Sequence, residues 1–148
     1  MIIAIGGDHA GFHLKESIKQ WINDAGHEFI DLGTCDTQAV DYPDFAAAVG
    51  HAVIDGRAQR GIVVCGSGAG AAIAANKIHG IRAALAHETY TAHQAVEHDD
   101  VNVITLGERV IGVALAQEIV QTFLKAQFSG EERHLRRLGK IAKLEEEF

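Results

Sequence analysis

Gly61-Ile62-Val63-Val64-Cys65-Gly66-Ser67-Gly68-Ala69-Gly70, running on into Ala71-Ala72-Ile73-Ala74-Ala75-Asn76-Lys77, is the stretch whose reading decides the fold. A short apolar run rich in β-branched residues reads as a buried strand, and the alanine-rich segment behind it reads as a helix. Between them three alternate glycines enclose Ser67 and Ala69, and Cys65 occupies the last strand position. Such a turn presents bare backbone N–H groups at a helix N-terminus, where the dipole favours negative charge. A thiol at that edge is of the type that serves as a thiolate. One turn thus offers a base and a cradle for an oxyanion, which suits proton abstraction next to a carbonyl.

Outward from this unit the chain keeps alternating. Strand-like runs stand at Ile2–Ile5, Glu28–Asp31, Gly61–Val64, Arg82–Ala86 and Asn102–Leu106. Phe12–Ala25 carries Leu14, Ile18, Trp21 and Ile22 at helical spacing and stops at Gly26. A second helix starts near Pro43 and runs to about Asp55, and a third spans Val110–Ala126 with a broad apolar face. A last, highly charged helix covers about Glu131–Glu147, with a narrow stripe of Leu135, Leu138, Ile141 and Ala142. Strict β/α alternation implies an α/β, Rossmann-like, three-layer sandwich around a five-stranded parallel sheet, with an extra C-terminal helix. A flavodoxin-like order of 2-1-3-4-5 fits, and it places a ligand at the carboxyl ends of strands one and three. There Gly6-Gly7-Asp8-His9-Ala10-Gly11 would meet Cys65-Gly66-Ser67-Gly68. His98-Asp99-Asp100, just before strand five, joins them only through a bent loop or a neighbouring subunit.

The bulk numbers bound the rest. At 148 residues and 47% apolar content, the expectation is one domain spanning 1–148 with a real core. A net charge of −7 argues against non-specific nucleic-acid binding. No apolar run approaches the ~20 residues of a membrane span, and no signal-peptide pattern opens the chain. Two cysteines, Cys35 and Cys65, fit a reducing cytosol rather than a disulfide scaffold. The expected setting is cytoplasmic.

Each candidate has a plainer rival. Cys65 could be a buried small hydrophobe, and Cys35 has no setting beyond that. Gly66-Ser67-Gly68-Ala69-Gly70-Ala71 also satisfies a dinucleotide fingerprint, with Glu88 near the ribose-binding position. Asp8 could be only a helix cap, and His9 with His13 has an i, i+4 spacing that would suit a metal without completing a ligand set. His98-Asp99-Asp100 is either a solvated helix end or a general acid flanked by carboxylates. Arg133 and Arg137 project from one helix face, as a surface laced with salt bridges or as a phosphate clamp.

Taken together, Gly7-Asp8-His9-Ala10-Gly11-Phe12, Asp41-Tyr42-Pro43, Cys65 to Gly70, Ala74-Ala75-Asn76-Lys77 and Gly80-Ile81-Arg82-Ala83 form an ordered set. With His98, Asn102-Val103, Gly107-Glu108-Arg109, Arg133-His134 and Arg137, the set resembles the ribose-5-phosphate isomerase B family over nearly the whole chain. Its wider group includes galactose-6-phosphate and allose-6-phosphate isomerases. The resemblance implies an aldose–ketose isomerase of sugar phosphates, without metal or organic cofactor, built as a homodimer or dimer of dimers with sites between subunits. It makes Cys65 the base between C1 and C2, His98 the acid that protonates the ring oxygen, and Ser67 an aid to ring opening where the family often has threonine. Gly66, Ser67, Gly68, Ala69 and Gly70 would stabilise the enediolate. Asp8 and His9 would contact the sugar or phosphate, and Arg109, Arg133 and Arg137 would belong to the phosphate site.

One position departs from the pattern. Members acting on ribose 5-phosphate commonly carry His-Asn where this chain has His98-Asp99. An amide donates a hydrogen bond that an ionised Asp99 can only accept, so the departure bears on which sugar phosphate is taken. Allose 6-phosphate, galactose 6-phosphate and a tetrose phosphate remain alternatives to the pentose. Two other classes are a dinucleotide-dependent redox enzyme and a non-catalytic sugar-phosphate-binding module.

Overall fold

The computed structural model describes residues 1–148. Strands β1 (Ile2–Gly7), β2 (Glu28–Asp31), β3 (Arg60–Cys65), β4 (Ala83–Leu85) and β5 (Val103–Gly107) form one sheet. Helices α1 (Phe12–Asp24), α2 (Tyr42–Ile54), α3 (Ala69–Ala75), α4 (Thr89–Asp99), α5 (Val113–Lys125) and α6 (Glu132–Glu146) complete the chain. Every strand pair is parallel, which requires each crossover to pass over a face of the sheet. The expected α/β architecture is present.

The strand order is β2-β1-β3-β5-β4, not the expected 2-1-3-4-5. Burial explains the exchange. Val103-Ile104-Thr105-Leu106-Gly107 is buried throughout and takes the inner place, whereas the three residues of β4 are half-buried or exposed and form the edge. The exchange leaves β1 and β3 adjacent, so the crevice at their carboxyl ends survives.

Side-chain alternation sorts the apolar residues into two cores. Ile3, Ile5, Ile62, Val64, Ile104 and Leu106 meet α1, α4 and α5 on one face. Ala4, Val63, Cys65 and Val103 meet α2 and α3 on the other. This second face is built from small residues at close range: a Cβ on Gly61 would lie 2.5 Å from Val49 Cγ1. α5 starts at Val113 rather than Val110, because the N–H groups of Val110 and Ile111 fold back on the Gly107 carbonyl and Gly112 takes the cap. α6 lies against the end of α4, anchored by the Gly80 N–H donating to Glu145 at 2.8 Å, and leaves Leu135, Ile141 and Leu144 exposed. No helix is long and apolar enough to cross a membrane.

Candidate active site

At the carboxyl ends of β1 and β3 a cleft of about 460 Å³ opens, lined by Asp8, His9, Cys65, Gly66, Ser67 and Arg109, with Ala10, Tyr42, Gly70 and Val110 beside them. The location follows from the topology, since the chain leaves neighbouring strands toward opposite faces there. Cys65 sits on the floor, 4% exposed, and its Sγ accepts the Gly68 N–H at 3.1 Å. Gly68 makes that approach at φ 80°, a left-handed conformation that a side chain resists. The N–H groups of Gly66 and Ser67 meet no carbonyl, and those of the first turn of α3 have none to meet. A thiol and free backbone donors therefore share one wall.

Further residues hold that wall, and two of them, Thr105 and His87, were not singled out in the sequence. The buried Thr105 hydroxyl donates to the Gly68 carbonyl at 2.8 Å. Gly107 donates its N–H to His87 Nε2 at 2.9 Å; burial lowers the His87 pKa from its ordinary value, which keeps that nitrogen an acceptor. The Glu108 and Arg109 N–H groups donate back to the Cys65 and Gly66 carbonyls. Tyr42 closes the opposite side with its ring over Gly70. The available signals were a lone threonine inside an apolar strand and the Tyr-Pro that opens α2.

Asp8 caps a turn and also lines the cleft. Its Oδ1 accepts the N–H groups of Ala10 and Gly11 at 3.0 and 3.1 Å, capping a 3-10 turn at His9–Gly11, and the carboxylate still lines the cleft. His9 Nδ1 accepts the Val40 N–H at 3.2 Å, and no group of three or more His, Cys, Asp or Glu is arranged to hold a metal ion. Arg109 forms no ion pair, so its guanidinium, lying against Gly66, is free for an anion. Glu88 caps α4 by accepting the Thr91 N–H at 2.9 and 3.1 Å, which occupies the acid that a dinucleotide would need. The glycine turn also follows the third strand rather than the first.

The remaining candidates gather elsewhere. His98 and Asp99 end α4, ahead of Val103, which pairs with Gly61 at the amino end of the sheet, whereas Cys65 pairs with Gly107 at the other. Four strand steps separate those levels, roughly 13 Å at about 3.3 Å per residue. At the amino end His98 is half-buried against His134 of α6, Asp99 is exposed, and Arg133 and Arg137 are exposed on α6. Arg133 reaches Glu131 at 2.9 Å. One chain thus holds two separate clusters: a thiol beside free backbone N–H groups, and an imidazole with two guanidinium groups.

A family model described as Ribose/Galactose Isomerase matches residues 3–141. The chain belongs to this family. The ribose/galactose isomerase fold is shared closely with ribose-5-phosphate isomerase B of Clostridium thermocellum, with a TM-score of 0.97 and 50% identity over 99% of both chains. Ribose-5-phosphate isomerase B of Escherichia coli (strain K12) is 44% identical over 97% of this chain and 96% of its own. D-erythrulose-4-phosphate isomerase of Pectobacterium atrosepticum is 45% identical over 86% of this chain and 85% of its own. This ribose/galactose isomerase is accordingly an aldose–ketose isomerase of sugar phosphates.

Proposed function

We propose that the chain is a single isomerase domain that interconverts ribose 5-phosphate and ribulose 5-phosphate in the cytoplasm. Cys65 is the base, and His98 of a second copy is the ring-opening acid. The observation that carries this reading is the buried Cys65 thiol beside the unbonded N–H groups of Gly66 and Ser67 in a cleft with an unpaired Arg109. His98 protonates the furanose ring oxygen while the anomeric hydroxyl releases its O1 proton to solvent through Ser67, which frees the C1 aldehyde, and His98 regains its proton from solvent. The Cys65 thiolate then takes the C2 proton, and the electron pair passes to the C1 oxygen as an enediolate held by the Gly66–Gly70 backbone. Cys65 returns its proton to C1 while the O2 proton passes to O1, so the ketose forms with no net gain or loss.

Arg109, together with Arg133 and Arg137 of the second copy, holds the phosphate, and Asp8 and His9 orient the sugar hydroxyls. Remote binding of the phosphate fixes the reacting carbons against the thiol. The uncovered apolar residues Leu135, Ile141 and Leu144 of α6 support assembly into a dimer or a dimer of dimers.

A second reading moves the substrate and keeps the chemistry. Asp99, exposed beside His98, accepts where an amide would donate, and the family includes a relative named for a tetrose phosphate. The test incubates the protein and a Cys65→Ala variant with ribose 5-phosphate, erythrose 4-phosphate, allose 6-phosphate and galactose 6-phosphate, with ketose quantified by chromatography. Cys65-dependent conversion of ribose 5-phosphate ahead of the others is the expected result. Preference for another aldose that reverses in Asp99→Asn assigns the second reading, and turnover that survives loss of Cys65 overturns the mechanism.

A further inference from the structure

His134 is a buried histidine that the chemistry above does not use. It is 1% exposed, and its Nε2 is the one buried side-chain polar atom in the protein without a hydrogen-bond partner. A buried unpaired nitrogen is costly, so the ring is kept for something that an aliphatic side chain would not supply. Two contacts show what that is. The flat face of His134 stacks on His98, with ring centroids 4.2 Å apart and planes 27° from parallel. At its edge, Nδ1 meets the Ser129 hydroxyl at 2.5 Å.

Ser129 is itself tied to α4, because its N–H donates to the carbonyl of Glu97, the residue just before His98, at 3.0 Å. The chain of contacts closes on itself: Glu97 backbone, Ser129, His134, then the His98 ring. On its other side His98 Nδ1 meets the Gln94 carboxamide at 3.2 Å. The His98 ring is therefore gripped on one face and at one nitrogen, which leaves Nε2 as its working end.

We propose that His134 is a positioning residue for sugar-ring opening: its imidazole face, clamped through Ser129 to the Glu97 backbone, holds His98 in the orientation from which it protonates the ring oxygen. The assignment rests on the reading of His98 as that acid. The charged and titratable groups around His134 are His98 from α4 and Glu131, Arg133 and Arg137 on α6 and its lead-in. Burial first, then the neighbouring His98, holds the His134 pKa below its ordinary value.

The test exploits substrate chemistry. Ribose 5-phosphate closes to a furanose and must be opened, whereas erythrose 4-phosphate carries its phosphate on O4 and has no hydroxyl with which to close that ring. His134→Leu keeps the volume without an aromatic face, and His134→Phe restores the face without the nitrogens. Both are compared with wild type and His98→Ala on the two sugars.

For His134→Leu we expect kcat on ribose 5-phosphate to fall about 10²-fold, the scale of a misaligned catalytic group, while KM stays within about two-fold. Turnover of erythrose 4-phosphate stays within about three-fold, and His134→Phe recovers most of the pentose activity. The His98 Cε1–H resonance moves in the Leu variant and stays near its wild-type position in the Phe variant. Equal losses on both sugars, unchanged pentose turnover in His134→Leu, or no rescue by Phe would overturn the positioning role while leaving the isomerase reading intact. A His98→Ala protein that loses both sugars alike, or a wild-type protein inert toward ribose 5-phosphate, refutes the reading itself, and the assignment falls with it.

Discussion

Cys65 and His98 lie at opposite ends of one sheet, so mixing two crippled chains is expected to restore activity. The perturbation is a Cys65→Ala chain co-expressed with a His98→Ala chain, each bearing a different affinity tag, with the hybrid isolated by two successive purifications. The strand register sets the stakes: the levels of Cys65 and of Val103, the strand residue nearest His98, stand roughly 13 Å apart, beyond the reach of both groups on one small sugar. On the proposed mechanism, a complete site takes the cleft of one copy and the α4–α6 corner of another. In a two-fold hybrid dimer, one site pairs an intact Cys65 with an intact His98, and the other has lost both. Turnover per hybrid dimer should then be about half that of wild type, against parents reduced on the order of 10²-fold or more. The assay is ribulose 5-phosphate formation at fixed dimer concentration, with each parental homodimer measured alongside. A hybrid no more active than its parents would refute the split site, because a site made within one chain leaves every copy defective.

Two further expectations follow from the fold. Gly68→Ala places a Cβ at φ 80°, 2.5 Å from Leu85 Cδ1 and 3.0 Å from the Leu106 carbonyl carbon, so the turn must shift and withdraw the N–H that faces Cys65. Steady-state kinetics should show kcat down about 10²-fold with little change in KM, as for loss of an oxyanion donor. Lys15 is fully buried and pairs with Asp31 at 2.8 Å and Glu16 at 2.9 Å. Burial alone would raise Asp31, but hydrogen bonds from Lys15 and Lys19 and from the Gly33 N–H outweigh it and hold the carboxyl below its ordinary 3.8. Glu16 is likewise held below its ordinary 4.5 by Lys15 and Lys19. Both carboxylates bind protons more readily in the unfolded chain, so their stabilisation is complete above those ordinary values and is lost as pH falls through the depressed ones. Asp31→Asn should cost about 3 kcal/mol at pH 7, the low end for stranding a buried charge because Glu16 remains, and thermal melts should fall by roughly 6–12 °C. Its melting temperature should also decline less steeply than wild type below pH 4.

Local signals carried most of the architecture. All five strands were legible because their apolar runs are short and bounded by turn residues, and α1, α2, α5 and α6 because their periodicity is strong. The exchange of β4 and β5 was not legible, since alternation fixes that strands are parallel and not which one takes the edge. That choice depends on how a three-residue Ala-Ala-Leu strand competes for burial with Val-Ile-Thr-Leu-Gly. The Cys65 turn and its place in the cleft were readable because strand, turn and helix are contiguous in the chain. His87 and Thr105 were not, because their value lies in reaching carbonyls and amides far away in sequence. His98 and Arg133 were readable as residue types, but only the register shows that one chain keeps them away from the cleft.

The two faces of the sheet should accept variation very differently. Where α1, α4 and α5 pack, isoleucines, leucines and valines interdigitate, and one methyl can be exchanged for another as neighbours repack. Where α2 and α3 pack, backbone lies almost on backbone, and an extra carbon at Gly61 would drive into Val49. That side has no slack to give, and it carries the helices that bring Tyr42 and the Ser67 turn to the cleft. Drift over generations will be recorded on one side of this molecule, while the other, with almost nothing to trade, stays fixed.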